Sequence, residues 1–181
     1  MALTNCLLRM VTVLKSHTRL HKLVEIILLA LFGVLMYVSQ VIMASLPNIE
    51  LVSFLIILIT KKFGIKSLWS VYVFVILEAL TYGLEIWVIC YLYVWAILVF
   101  VVLLVRKHDG VILYTLISSI YGFLFGTLCS VPYFITGGIG YGISWIVSGI
   151  VTGFDIYHGV GNFLLMLLLY KPISKVFEKI K

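Results

Sequence analysis

The strongest constraint on this chain is where its 13 Lys and Arg residues stand. They form four clusters: Arg9, Lys15, Arg19 and Lys22; Lys61, Lys62 and Lys66; Arg106 and Lys107; and Lys171, Lys175, Lys179 and Lys181. Each apolar stretch between two clusters has the length of one out-and-back pair of helices. The turns expected inside those stretches, near 45–48, 82–86 and 132–153, carry no Lys or Arg. Loops rich in Lys and Arg stay on the cytoplasmic side of a membrane. The pattern predicts six crossings, with every basic cluster and both termini inside.

Composition agrees. The chain has 181 residues, 64% of them hydrophobic and 11% charged, where soluble domains carry about 25% charged. Its mean hydropathy of +1.23 leaves too much apolar surface for a soluble globule. The expected fold is an all-α integral membrane protein, one six-helix domain over 1–181, with helices near 22–44, 49–61, 67–83, 86–105, 110–132 and 155–178. Residues 1–21 form a cytoplasmic segment, in which 3–14 make either a short helix on the inner membrane surface or a disordered tail. With no small-residue cleavage site, a removable signal peptide is not expected. The stretch GGIGYGISWIVSGIVTG (137–153) is too short and glycine-rich for a span and reads as a partial helix or loop on the outer face. The net charge of +6 then describes topology and headgroup contact, and nucleic acid is not an expected partner. Cys6, Cys90 and Cys129 show no disulfide or metal spacing.

The segment ASLPNIELVSFLIILITK (44–61) is anomalous. A helix rising ~1.5 Å per residue needs roughly 20 residues to cross the hydrocarbon core, and this one is shorter. Counting outward from Lys61, Glu50 lies about 16 Å up the helix axis, below the outer edge of a ~30 Å core. Pro47 cannot donate a backbone hydrogen bond and turns Leu46 away from helical geometry. Irregular backbone at that depth is tolerated where protein or a water-filled cavity satisfies it. The segment predicts an outward-facing cavity with Asn48 and Glu50 on its floor or wall.

Other polar residues gather in the same outer half. Glu78 and Glu85 stand seven apart, one face of a helix that continues so far. Asp155, His158 and Asn162 fall at i, i+3 and i+7, and Gln40 lies in the outer third of the first helix. A charge at the bilayer centre costs ~2.5–3.5 kcal/mol on insertion scales, so the cluster calls for a binding role or for interhelical hydrogen bonds at the rim. Trp87, Tyr91 and Trp95 form an i, i+4, i+8 stripe, either an interfacial belt with helix packing or the wall of an aromatic pocket. Tyr141 and Trp145 either cover that pocket or join the belt. Ser118, Gly122, Gly126 and Ser130 repeat every four residues, a ridge that lets another helix approach closely.

Several chemistries lack their residues. GGIGYG has neither the Lys-Ser/Thr ending of a phosphate loop nor dinucleotide-loop spacing. His158 alone among the histidines lies deep in apolar sequence, which argues against a bis-histidine haem. No helix-borne nucleophile and base are arranged for proteolysis. No enzyme activity, metal or cofactor is expected.

A small six-helix chain with an acidic, aromatic outer cavity and no energy motif suits a passive binder. The sequence resembles the substrate-binding S components of energy-coupling factor (ECF) vitamin transporters. The resemblance covers most of the chain from the first helix onward. It is carried by LPNIELVSFLIIL (46–58), YVFVILEALTYGLEIW (72–87) and FDIYHGVGNFLLMLLLYKPISKVFEK (154–179), the last with Asp-x-x-His-x-x-x-Asn and a Lys-Pro near its inner end. The resemblance implies a bacterial plasma-membrane protein that captures a vitamin or related micronutrient from outside. It implies association with a coupling transmembrane subunit and two ATPase subunits, and toppling in the membrane to release cargo. The family's first helix carries alanines four apart for docking; here Ala30 and Gly33, in LLALFGVLM, approximate that pattern.

The candidate substrate-binding residues are Asn48, Glu50, Glu78, Glu85, Tyr91, Trp95, Tyr141, Trp145, Asp155, His158 and Asn162. Carboxylates accept hydrogen bonds and indole faces attract cations, while the outer half offers no Lys or Arg to an anion. The expected ligand is a flat, cationic or hydroxyl-rich heteroaromatic of the vitamin B6 or thiamine-precursor kind. The alternative is a structural or assembly subunit of a membrane complex, whose acidic residues lock helices together.

Overall fold

A computed structural model describes residues 2–46 and 49–179, and their side chains from residue 19 onward. It is helical throughout: α1 (Ala2–Ile42), α2 (Val52–Phe63), a 3-10 turn (Gly64–Lys66), α3 (Ser67–Tyr82), α4 (Ile86–Val105), α5 (Val111–Leu128), α6 (Val131–Val151) and α7 (Phe154–Glu178). Among the described residues, six helical stretches are long and apolar enough to cross a membrane. Many large apolar side chains point outward, Leu104 at 85% exposure and Leu84 at 82% among them. Both facts fit a multi-pass membrane protein. The N-terminal segment is a direct continuation of α1, one helix of 41 residues, rather than a separate surface helix or a tail.

Side-chain contacts fix the path. Lys66 pairs with Glu25 at 2.7 Å, Ser70 donates to the Leu29 carbonyl, and Tyr37 bonds Thr81 at 2.8 Å. Numbers rise together along α1 and α3, so these two helices are parallel and α2 must run back between them. The reversal occurs at Gly64, whose φ of +63° lies where glycine is favoured. Arg106 closes that corner, donating from Nε to the Lys61 carbonyl and from Nη2 to the Lys62 carbonyl, each at 2.9 Å. These are orphan carbonyls of the α2 terminus.

The later helices alternate in the same manner. Tyr121 donates to the Val94 carbonyl and Tyr93 to the Leu128 carbonyl, so α4 and α5 are antiparallel. The small-residue ridge of α5 meets α7: a Cβ on Gly122 would lie 2.8 Å from the Gly159 Cα. Close backbone approach of this kind is what such ridges permit. Helices α1, α2, α3, α4, α5 and α7 thus run back and forth through the bundle; of the six long apolar stretches, α2 and α3 together make one (Val52–Tyr82) and α6 another (Val131–Val151). Lys61, Lys66, Arg106 and Tyr170 gather at one end, and Gln40, Glu50, Trp87 and Asp155 at the other.

Two elements depart from simple spans. The short α2 is buried at every position from Val52 to Thr60, with α1, α3, α4, α5 and α7 around it. A helix apolar on all sides belongs in such a centre. In α6 the helix breaks at Gly138, where φ is +75° and ψ −173°. The Tyr133 and Trp145 rings stack at 3.9 Å; twelve residues of straight helix would hold them about 18 Å apart. α6 is therefore folded back on itself as two helical arms at the acidic end, although its 21 residues are among the six stretches long and apolar enough to cross a membrane.

Candidate functional site

At the acidic end, a cavity of about 350 Å³ opens among α1, α2, α3, α4, α5 and α7. Glu50 reaches it from just ahead of α2. Its Oε2 accepts from the Val52 N–H at 3.2 Å and its Oε1 from the Ser53 N–H and hydroxyl at 3.3 and 2.8 Å. A carboxylate is well placed against the free N–H groups and positive end of a helix. His158 Nε2 lies 3.1 Å from the same Oε1, which ties α7 to α2. Glu50 is thus largely occupied by its own chain.

Glu78 is the opposite case. It is fully buried on α3, lines the cavity, and neither carboxyl oxygen has a hydrogen-bond partner. The Trp95 indole N–H, the His158 Nδ1 and the Gln40 Oε1 are likewise buried, unpartnered and at the cavity wall. Buried polar atoms in a folded protein nearly always find partners, and here four such groups stand unpartnered around one hollow.

The wall between them is aromatic. Trp87, Tyr91 and Trp95 follow one another along α4 edge to face, each ring pair 5.3 Å apart at 76°. Tyr91 is anchored by the Gln40 Nε2, which donates to its hydroxyl at 3.2 Å. Phe125 closes against both Trp95, at 5.1 Å, and His158, at 4.6 Å.

A second space of about 310 Å³ adjoins the first and shares Trp87, Tyr91, Phe125 and Phe154 with it. Asp155 stands there in the first turn of α7, its Oδ1 accepting from the Gly126 N–H at 2.9 Å and its Oδ2 unpartnered. Trp145 of α6 roofs this space and donates its indole N–H to the Gly126 carbonyl at 3.1 Å. A side chain at 126 would collide with the Asp155 carboxylate, 2.6 Å from the Cβ position.

Of the expected residues, the structure gathers Glu50, Glu78, Tyr91, Trp95 and His158 around the first space, and Trp145, Asp155 and again Tyr91 around the second. It leaves others outside. α3 ends at Tyr82 and Gly83 turns with φ +82°, so Glu85 loses the helical register with Glu78 and lies exposed at the start of α4. Tyr141 is nearly half exposed and packs on Tyr133 at 5.4 Å, away from either space. Asn162 faces α5, donating to the Ser118 carbonyl at 3.2 Å. Gly33 is packed against Val73 and the Ser70 carbonyl of α3, so it offers no surface to a partner, while Ala30 remains exposed. Asn48, like Pro47, lies outside the described residues.

Sequence reasoning missed Phe125 and Phe154. Both are apolar residues in apolar helices and carry no signal of their own; Phe125 is marked only by standing next to Gly126 on the small-residue ridge. Among the described residues, no three His, Cys, Asp or Glu side chains converge as a metal site. No family model, curated protein or solved structure matches this chain.

Proposed function

We propose that this chain is a substrate-binding membrane subunit of the ECF S-component type. In this reading it takes a small, water-soluble, heteroaromatic micronutrient into the cavity at the acidic end. It then passes the cargo to a coupling transmembrane subunit driven by two ATPase subunits, and itself performs no chemical step. The proposal includes a bacterial plasma membrane, cytoplasmic termini and an outward-facing cavity. The observation that carries it is Glu78, a fully buried carboxyl with both oxygens unpartnered, facing a ligand-sized hollow beside an unpartnered indole N–H. Leaving such groups unpaired costs roughly 1–3 kcal/mol each, which a ligand's donors and acceptors would recover. The cation-attracting Trp87, Tyr91 and Trp95 faces favour a cationic or hydroxyl-rich ring of the vitamin B6 or thiamine-precursor class.

Native mass spectrometry of the purified chain, followed by calorimetric titration with a vitamin panel, tests this reading. A co-purified small ring compound is the expected result. Tight binding restricted to anionic carboxylate ligands rejects the charge argument. A second reading, a structural subunit of a membrane complex, draws on Glu50 and Asn162, whose polar groups are engaged within the chain. It requires that no ligand be found and that substitutions at Glu78 and Trp95 act on folding alone.

A further inference from the structure

The two adjoining spaces each end on a carboxyl that the chain has left with a free oxygen. In the first it is Glu78, fully buried; in the second it is the Oδ2 of Asp155, a residue 5% exposed. The Asp155 oxygen is held in place, because its Oδ1 is bonded to the Gly126 N–H and glycine at 126 leaves room for the group. Asp155 precedes His158 by three residues, about 4.5 Å of helix rise, so the second acceptor sits roughly one turn from the floor of the first space. Between the two lie the shared rings of Trp87, Tyr91, Phe125 and Phe154. Among the described residues, no Lys or Arg lines either space.

We infer that one elongated ligand occupies both spaces, with a cationic or multiply hydrogen-bond-donating group at each end and a flat apolar middle against the shared rings. This rests on the small-molecule reading above and narrows its substrate class. Each of these unpartnered carboxyl oxygens can accept a hydrogen bond, so a donor at each end of the ligand satisfies both. A ligand with one such head satisfies one carboxyl and leaves the other buried without a partner. Either space alone is at the lower limit of ordinary ligand pockets, about 300–1,000 Å³, whereas the pair accommodates a longer molecule.

The test is calorimetric titration of the purified full chain with two probes, benzylamine and 1,4-bis(aminomethyl)benzene, which present one and two ammonium groups on the same ring. The diamine binds at least about tenfold more tightly, the effect of one additional charge-assisted hydrogen bond. Asp155→Asn and Glu78→Gln each reduce the diamine to the monoamine's affinity. Asp155→Asn keeps an oxygen for the Gly126 N–H, and its unfolding temperature checks the fold; should it misfold, the diamine-to-monoamine ratio of the unaltered chain decides alone. Equal affinities for the two amines overturn the inference, as does a diamine affinity lowered by Glu78→Gln but untouched by Asp155→Asn. Either result leaves the binding-subunit reading standing. A co-purified molecule with donors at both ends supports the inference even if neither amine binds, and one with a donor at a single end overturns it. No bound amine and no co-purified molecule overturns both readings together.

Discussion

His158 Nε2 and Glu50 Oε1 meet at 3.1 Å although 108 residues of chain separate them. The contact joins the segment just ahead of α2 to the second turn of α7, and Glu50 also accepts from the Val52 and Ser53 N–H groups. Glu50→Ala therefore removes a helix cap and a buried partner together, and is expected to lower stability by roughly 2–4 kcal/mol. A double-mutant cycle with His158→Ala, read by thermal unfolding in detergent, should return a coupling of about 0.5–3 kcal/mol.

Glu78→Gln and Trp95→Phe separate binding from folding. The first exchanges a carboxyl with no partner for an amide of the same shape; the second removes a buried N–H with no partner while keeping a ring among Phe74, Tyr91 and Phe125. Neither change breaks a hydrogen bond within the chain, so unfolding temperatures should stay within the equivalent of about 1 kcal/mol. Ligand affinity should fall by roughly tenfold or more for each.

Gly122 in the α5–α7 seam differs from Gly140 of α6. A Cβ on Gly122 meets the backbone of Gly159 at 2.8 Å, whereas one on Gly140 meets nothing within 4 Å. Gly122→Ala should destabilise by about 1–3 kcal/mol through forced separation of two helices. Gly140→Ala should be neutral or stabilising by up to about 1 kcal/mol. Thermal unfolding of the two variants side by side checks the contrast.

Arg106 holds two carbonyls with one planar group. Lysine offers no such fork, so Arg106→Lys should lose one of these bonds and about 1–2 kcal/mol, with increased hydrogen exchange confined to the Lys61–Lys66 corner.

At the same end, Asp109 donates nothing and accepts a 2.7 Å bond from the Lys61 ammonium. That bond and the lysine's charge hold the Asp109 carboxyl below its ordinary range. A carboxyl depressed in the folded state adds stability above its unfolded value and loses it as pH falls through the folded one. Unfolding temperature should drop on acidification into the carboxylate range. Asp109→Asn should flatten that limb slightly, since the carboxylate is solvent-exposed.

Much of the bundle was legible because basic clusters and apolar lengths constrain topology directly. The path through α1 to α5 and α7 follows the spacing of Lys61, Arg106 and Lys171. The site was legible where a helix stayed regular: Trp87, Tyr91 and Trp95 share a face in the sequence and in space. It failed where the backbone turned. The Glu78–Glu85 spacing assumed a helix that Gly83 ends, and α6 returned on itself at Gly138, which sent Tyr141 to Tyr133. Asp155, His158 and Asn162 share a helical spacing, yet Asp155 and Asn162 bond to α5 while His158 meets Glu50 ahead of α2. Spacing alone cannot tell which neighbour a helical face will meet.

The enclosed position of α2 also bears on how the protein meets membranes of different width. A helix of 12 residues is about 18 Å long, and if lipid surrounded it the acyl chains would have to compress to match it. Sheathed by its neighbours, it makes no such demand. Its length is answerable to the depth of the hollow above it, and hydrophobic matching falls to the outer helices alone.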